Sequence, residues 1–256
     1  MNKDEVIEVV QRMVARLLAT NPAGVGLCLI GGARLRLLDH SARRSMDIDY
    51  HWEGDLAKKQ VEVASLLRTR LLPMVKSKLG LDGDVRDGAE SPFVSTVELA
   101  FYRVGSDLPR IEIPVDITHI PCLDRPVART MDGVVFLSAS DTDLLESKLL
   151  AIVLRDVVAA RDWVDIYLFR TLLSPEAPAR LARKLAMIKV ARTVVSARLG
   201  KIRLGRVVQL RQVAQVLREQ VDAAVAENLE QAGGAAMVFE EAFAITCRAF
   251  GREGGV

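Results

Sequence analysis

The chain has 256 residues, half of them hydrophobic, and a formal net charge of +2. That length suffices for one large domain or two modest ones with a real core, and the composition excludes a disordered or fibrous chain. Cys28, Cys122 and Cys247 are far apart and form no CxxC pair, which argues against a disulfide framework or a thiolate zinc site and fits a reducing compartment.

Met1 to Leu18 interleaves charges with apolar residues, unlike a signal peptide. No uncharged apolar run reaches the roughly 18 residues of a membrane span, so a cytoplasmic protein without membrane contact is expected. Helical spacing of Val6, Val9, Val10, Met13, Leu17 and Leu18 predicts a helix over Asp4 to Ala19, broken by Asn21-Pro22-Ala23-Gly24. Val25 to Ile30 reads as a buried strand ending in the Gly31-Gly32 turn, from which a helix opens over Ala33 to Asp39. Ser45 to Trp52 reads as the next strand, with Asp47, Asp49 and His51 on one face and Ile48 and Tyr50 on the other. Leu56 to Leu79 is one long amphipathic helix and Gly80 to Ser91 a hairpin or loop. Phe93 to Val104, Arg110 to Thr118 and Val134 to Leu137 read as strands. Beyond Asp141 the pattern is helical: Asp141 to Val158, Ala160 to Leu173, Ala179 to Leu199, Arg206 to Leu229 and Ala236 to Phe250, with Trp163 and Tyr167 in the core. The expected architecture is α+β, an α/β half over 1–138 followed by a helical half over 139–256.

The near-neutral total hides an asymmetry. No Asp or Glu lies between Glu176 and Glu219, a stretch that holds Arg180, Arg183, Lys184, Lys189, Arg192, Arg198, Lys201, Arg203, Arg206, Arg211 and Arg218. Such a segment suits a polyanion, with Arg183, Lys184, Arg192, Arg203 and Arg206 as the residues expected to meet RNA phosphates; solvated helix faces, or an acidic protein partner, would produce the same pattern.

Three features carry chemistry. Gly31-Gly32 between a strand and a helix lets backbone approach a phosphate at a helix N-terminus, though two glycines there are often only a turn. In Ser45-Met46-Asp47-Ile48-Asp49 two carboxylates share one face of a strand, where their repulsion is relieved by a divalent cation such as Mg²⁺, or by solvent. In Arg110-Ile111-Glu112-Ile113-Pro114-Val115-Asp116-Ile117 a third carboxylate is available for metal binding and for activating an attacking hydroxyl; Glu112 is the first choice and Asp116 the second. Arg34, Arg36, Arg43 and Arg44 crowd the same region and suit phosphate or a solvated loop equally. His40, His51 and His119 show no metal-ligand spacing.

Gly31-Gly32-Ala33-Arg34-Leu35-Arg36-Leu37 followed by Arg44-Ser45-Met46-Asp47-Ile48-Asp49 resembles the AbiEii/AbiGii-type nucleotidyltransferase toxins, which include the MenT-type enzymes. A second block, Glu146-Ser147-Lys148, Arg155 and then Arg161-Asp162-Trp163-Val164-Asp165-Ile166-Tyr167, is similar to that family's Lys and Arg-Asp-x-x-Asp pair. The resemblance implies a polymerase-β-like core, an NTP donor, a tRNA 3′ end as acceptor and a toxin role with a cognate antitoxin. It also implies that Asp47 and Asp49 bind Mg²⁺, that Gly31, Gly32, Arg34 and Ser45 line the nucleotide, that Lys148 meets phosphate charge and that Asp162 belongs to the site. Lys148 and Asp162 would equally make an interhelical salt bridge. Ala33 replaces the family's small hydroxyl residue, and nothing after Leu173 matches a motif. Adenylylation of an aminoglycoside-like small molecule, or a non-catalytic RNA- or protein-binding role, are the competing functions.

Overall fold

The computed structural model describes residues 1–103, 105 and 110–252. Contacts group into two compact units, one of 1–120 with 126–139 and one of 121–125 with 140–256.

The first unit is built on a seven-stranded mixed sheet. Its strands are β1 (Cys28–Ile30), β2 (Ile48–His51), β3 (Asp82–Glu90), β4 (Val94–Tyr102), β5 (Ile111–Thr118), β6 (Val127–Met131) and β7 (Val134–Ser138), in the order β3-β4-β5-β2-β1-β7-β6. β2 runs antiparallel to β1 and parallel to β5. Alternation sends Leu29, Ile48, Tyr50, Val97, Val115 and Ile117 into the core, where they meet Val6, Val10 and Val14 of α1 (Lys3–Ala19) and Val63 of α3 (Leu56–Leu66). The predicted first helix stands, closed at its start by a capping box between Asn2 and Glu5.

Three local departures stand out, two of them with a clear physical cause. The long helix predicted over Leu56 to Leu79 widens into a π-turn at Leu67–Leu71 before α4 (Leu72–Leu79). Pro73 at the start of α4 has no N–H for the α-helical bond back toward Thr69, and the wider turn absorbs the missing bond. Gly80 to Ser91, expected as hairpin or loop, is mostly the strand β3, stabilised by pairing along β4 rather than by its own Gly- and Asp-rich composition. At Gly83 an added Cβ would sit 2.7 Å from the Phe101 ring, so glycine lets that ring lie across the strand. β6, absent from the expected elements, pairs antiparallel with β7 at the sheet edge.

The second unit is helical: α5 (Asp141–Leu154), α6 (Ala160–Leu168), α7 (Ala177–Met187), α8 (Arg192–Leu204), α9 (Arg206–Gln220), α10 (Ala223–Gln231) and α11 (Gly234–Ala249). Two predicted long helices are each broken in two. The first breaks where Lys189 takes a left-handed φ of 57°. The second breaks at Val221, whose backbone is extended. Trp163 and Tyr167 are buried as expected, and the indole packs edge-on to Phe239 with centroids 5.3 Å apart while donating to Gln209 Oε1 at 2.8 Å. Among the described residues no helix is long and apolar enough to cross a membrane.

Candidate active site

The Gly-Gly turn, the Ser45–Asp49 segment and β5 converge in the first unit. β1 ends at Ile30, and α2 (Gly31–Asp39) starts at once on Gly31, whose φ of 71° is left-handed. Glycine is required there on two counts: that φ strains any L side chain, and a Cβ would lie 1.9 Å from Asp49 Oδ2. Gly32 is as constrained, since its Cβ would fall 2.5 Å from Ser45 Oγ and 2.4 Å from an Arg43 guanidinium nitrogen. The turn therefore lies directly against the side chains of the acidic segment.

Asp47 precedes β2, and Asp49 lies within it. Ser45 Oγ donates to Asp47 Oδ1 at 2.7 Å, while the buried Gln11 of α1 donates from Nε2 to the carbonyls of both Ser45 and Asp47 at 3.0 Å. Asp49 is the register partner of Asp116 on parallel β5. Neighbouring strands lie about 4.8 Å apart and register partners point to the same face, so these two carboxyl groups stand side by side, opposite the apolar face. Thr96 of β4, register partner of Asp116, donates its hydroxyl to Asp116 Oδ1 at 2.6 Å, and its carbonyl accepts from Gln60 Nε2 at 2.6 Å. Glu112, the first choice for the third carboxylate, is four residues away, exposed and opposite Ala100, so the second choice, Asp116, is the acid beside Asp49. Asp49 and Asp116 thus put two carboxylates side by side, and Asp47 lies two residues before Asp49 in the chain.

Other expected residues are placed differently. Arg34 is fully buried, paired with Asp39 and donating from Nε to Ser138 Oγ at 3.1 Å, so it braces α2 and is not available to a nucleotide. Arg36 is held by Glu8 at 3.0 Å, and Arg44 by Asp4. His51, Glu53 and His119 come together although their spacing gave no sign of it: the imidazole centroids are 5.4 Å apart, and Glu53 reaches His51 Nε2 at 2.9 Å and His119 Nδ1 at 3.7 Å. The trio is poorly suited to a metal. The Ile120 N–H donates to His51 Nδ1 at 3.1 Å, which leaves the neutral ring's hydrogen on Nε2, the nitrogen facing Glu53. Burial, and then the Glu53 charge, push the nearby Cys28 thiol up from its usual range.

In the second unit Lys148 lies 2.9 Å from Asp162 and 3.1 Å from Asp165, and Arg155 holds the other Asp162 oxygen at 2.7 Å. This is the interhelical pairing between α5 and α6 anticipated as the alternative reading of Lys148 and Asp162. Lys184, expected on an RNA surface, is fully buried between Asp143 at 2.6 Å and Glu146 at 2.7 Å. Arg206 pairs with Glu240, whereas Arg183, Arg192 and Arg203 are exposed. Gln11, Gln60 and Thr96, which position the acids, carried no sequence signal beyond their polarity in apolar stretches.

Comparison with known proteins identifies the family and the fold. Residues 12–243 match the family described as "Nucleotidyl transferase AbiEii toxin, Type IV TA system". Among solved structures, MenT4, a nucleotidyltransferase toxin of Mycobacterium tuberculosis, superposes with a TM-score of 0.55 at 17% identity, over 95% of this chain and 84% of that one. JHP933 from Helicobacter pylori superposes with a TM-score of 0.51 at 14% identity, over 98% and 93% of the two chains. Nothing matches among curated protein sequences. The fold is that of a nucleotidyltransferase, and the chain belongs to the AbiEii family of nucleotidyltransferase toxins of type IV toxin–antitoxin systems.

Proposed function

We propose that this nucleotidyltransferase moves a nucleotidyl group from an NTP to the 3′ end of tRNA in the cytoplasm, and that Asp47, Asp49 and Asp116 hold Mg²⁺ for that reaction. The observation that carries the reading is the Asp49–Asp116 register pair against the Gly31-Gly32 turn. When bound, Mg²⁺ supplies Lewis-acid neutralisation of the phosphate charge. The chain's own groups do the rest. The backbone of Gly31 and Gly32 approaches the triphosphate where no side chain intervenes. Ser45 keeps Asp47 oriented, its hydroxyl already donating to that carboxylate. Asp116, oriented by Thr96, accepts the proton of the attacking 3′ hydroxyl. The new bond joins that oxygen to the α-phosphorus, and the bond to pyrophosphate breaks.

Exposed Arg183, Arg192 and Arg203, in the acid-free stretch, suit RNA phosphates. Lys148 and Asp162 already meet opposite charges within the second unit, so the phosphate role expected of Lys148 is no part of this reading. The type IV description of the family implies a cognate antitoxin and a nucleotide substrate. The test is incubation with each labelled NTP, Mg²⁺ and total tRNA. Label should enter tRNA and vanish in Asp49→Asn; no incorporation from any NTP, or incorporation that survives Asp49→Asn, overturns the reading. Label on an added aminoglycoside but not on tRNA would move the acceptor to a small molecule.

A further inference from the structure

The first unit contains a cleft of about 380 Å³ that no step of nucleotidyl transfer uses. One wall is a stripe of α1, on which Val9, Arg12, Met13 and Arg16 fall at helical spacing. The others are α4 and the β6–β7 turn. The helix-covered side of the sheet supplies Phe136, whose strand partner Arg129 lies at the sheet edge, so the cleft is on the opposite side from Asp49 and Asp116.

Two properties define what the cleft would accept. Its interior is aliphatic and aromatic, with three of the protein's seven methionines, Met13, Met74 and Met131, in the lining. Thioether side chains are flexible and polarisable and adapt to an apolar guest of irregular shape. Its rim is cationic. Arg12 is already engaged by Glu8 at 3.0 Å and by the rim's one acid, Asp132, at 3.8 Å. Arg16 and Lys78 are exposed and, among the described residues, form no ion pair. A space of this size matches small-molecule sites, and an apolar interior under unmatched positive charge calls for an apolar body with an anionic head.

We propose that this cleft binds an acyl carboxylate, its chain against the three methionines and its head group at Arg16 and Lys78. The reading is independent of the catalytic one. A neutral lipid would leave the two cations unmatched, and a cationic amphiphile would be repelled by them. A nucleotide is disfavoured because the lining's one aromatic ring, Phe136, is almost fully buried and leaves no open face for a base to stack on.

The experiment uses the full chain labelled with ¹³C at the methionine methyls and titrated with sodium decanoate, decan-1-ol and decyltrimethylammonium. The methyls of Met13, Met74 and Met131, identified by single Met→Leu substitutions, should shift saturably with decanoate while the other four stay. Arg16→Glu combined with Lys78→Glu, both at exposed positions, should weaken decanoate about tenfold or more and leave decan-1-ol unchanged. Thermal melting confirms that the double variant folds. The proposal is overturned if decanoate produces no saturable shift of these methyls, if all three ligands bind with equal affinity, or if the double variant binds decanoate as tightly as the parent.

Discussion

Asp49 and Asp116 are register partners on two parallel strands, with the Asp116 carboxyl held by the Thr96 hydroxyl at 2.6 Å. Glu112 shares their strand face but lies two side-chain positions from Asp116, in solvent. If Asp116 is the third carboxylate, Asp116→Asn lowers kcat for nucleotidyl transfer by about 10²-fold or more, the loss typical of removing a positioned acid–base group. Glu112→Gln stays within about twofold. Steady-state kinetics on the two variants decides the matter, and equal losses would remove Asp116 from its role. Thr96→Val should fall between them and shift the pH profile of kcat, because it deletes a bond to the carboxylate while keeping the side chain's shape.

Gly31 tests the turn. Alanine would place a methyl 1.9 Å from Asp49 Oδ2 on a backbone with φ 71°, so either the strand or the turn must move. The left-handed conformation alone costs about 1 kcal/mol for a non-glycine residue. Gly31→Ala should lower the unfolding free energy read from urea melts by that much or more and abolish activity at temperatures where the variant is still folded. Gly80→Ala is the control. It has a similar φ of 65° but nothing within 4 Å, so it should lose similar stability from backbone strain and keep its activity.

What the sequence could reveal depended on how local the cause was. The Gly31-Gly32 turn and the first helix follow from neighbours in the chain, and each was legible; Asp49 falls on β2 as expected, whereas Asp47, expected on the same strand, lies just before it. The choice between Glu112 and Asp116 was not, because both alternate onto one face and only the register with β2 separates them. β3 was hidden for a related reason: Asp82, Gly83 and Asp84 have low strand propensity and become a strand by pairing with Tyr102, Phe101 and Ala100. Lys184 misled by its company, since an acid-free stretch says nothing about carboxylates brought from Asp143 and Glu146, some forty residues earlier.

The same unit makes a prediction about pH. The Arg180 guanidinium, donating to both Asp124 oxygens at 3.0 and 2.9 Å, is the main cause that holds the Asp124 carboxyl below the usual carboxylate range; the Ser140 hydroxyl adds to it. The folded value is lower than the unfolded one, so the stabilisation is fully present above the unfolded pKa of about 3.9 and is lost as pH falls through the folded value. Urea midpoints measured from pH about 7 down to about 2 should fall more steeply for the parent than for Asp124→Asn over the acid end of that range. Parallel curves would mean that the ion pair is equally formed in the unfolded chain.

Lys184 and Arg183 are adjacent in sequence and should behave as opposites. Lys184 is fully buried between two fully buried carboxylates, with Arg180 beside it at 2.7 Å from Glu146 and 2.9 Å from Asp143. Removing one partner of such a group leaves charge uncompensated in a medium of low dielectric, at a cost of about 3–5 kcal/mol. Lys184→Met should therefore lower the urea midpoint sharply, and its folded fraction should bind tRNA with the parent's affinity and salt dependence. Arg183, one position earlier on α7, is exposed and has no ion pair among the described residues. Arg183→Glu should leave stability within about 0.5 kcal/mol, as surface changes usually do. If the acid-free stretch carries RNA, the same variant should weaken tRNA binding and reduce the slope of log affinity against log salt by about 1. A Lys184→Met protein that is stable but fails to bind tRNA would show that this lysine, despite its burial, reaches the nucleic acid.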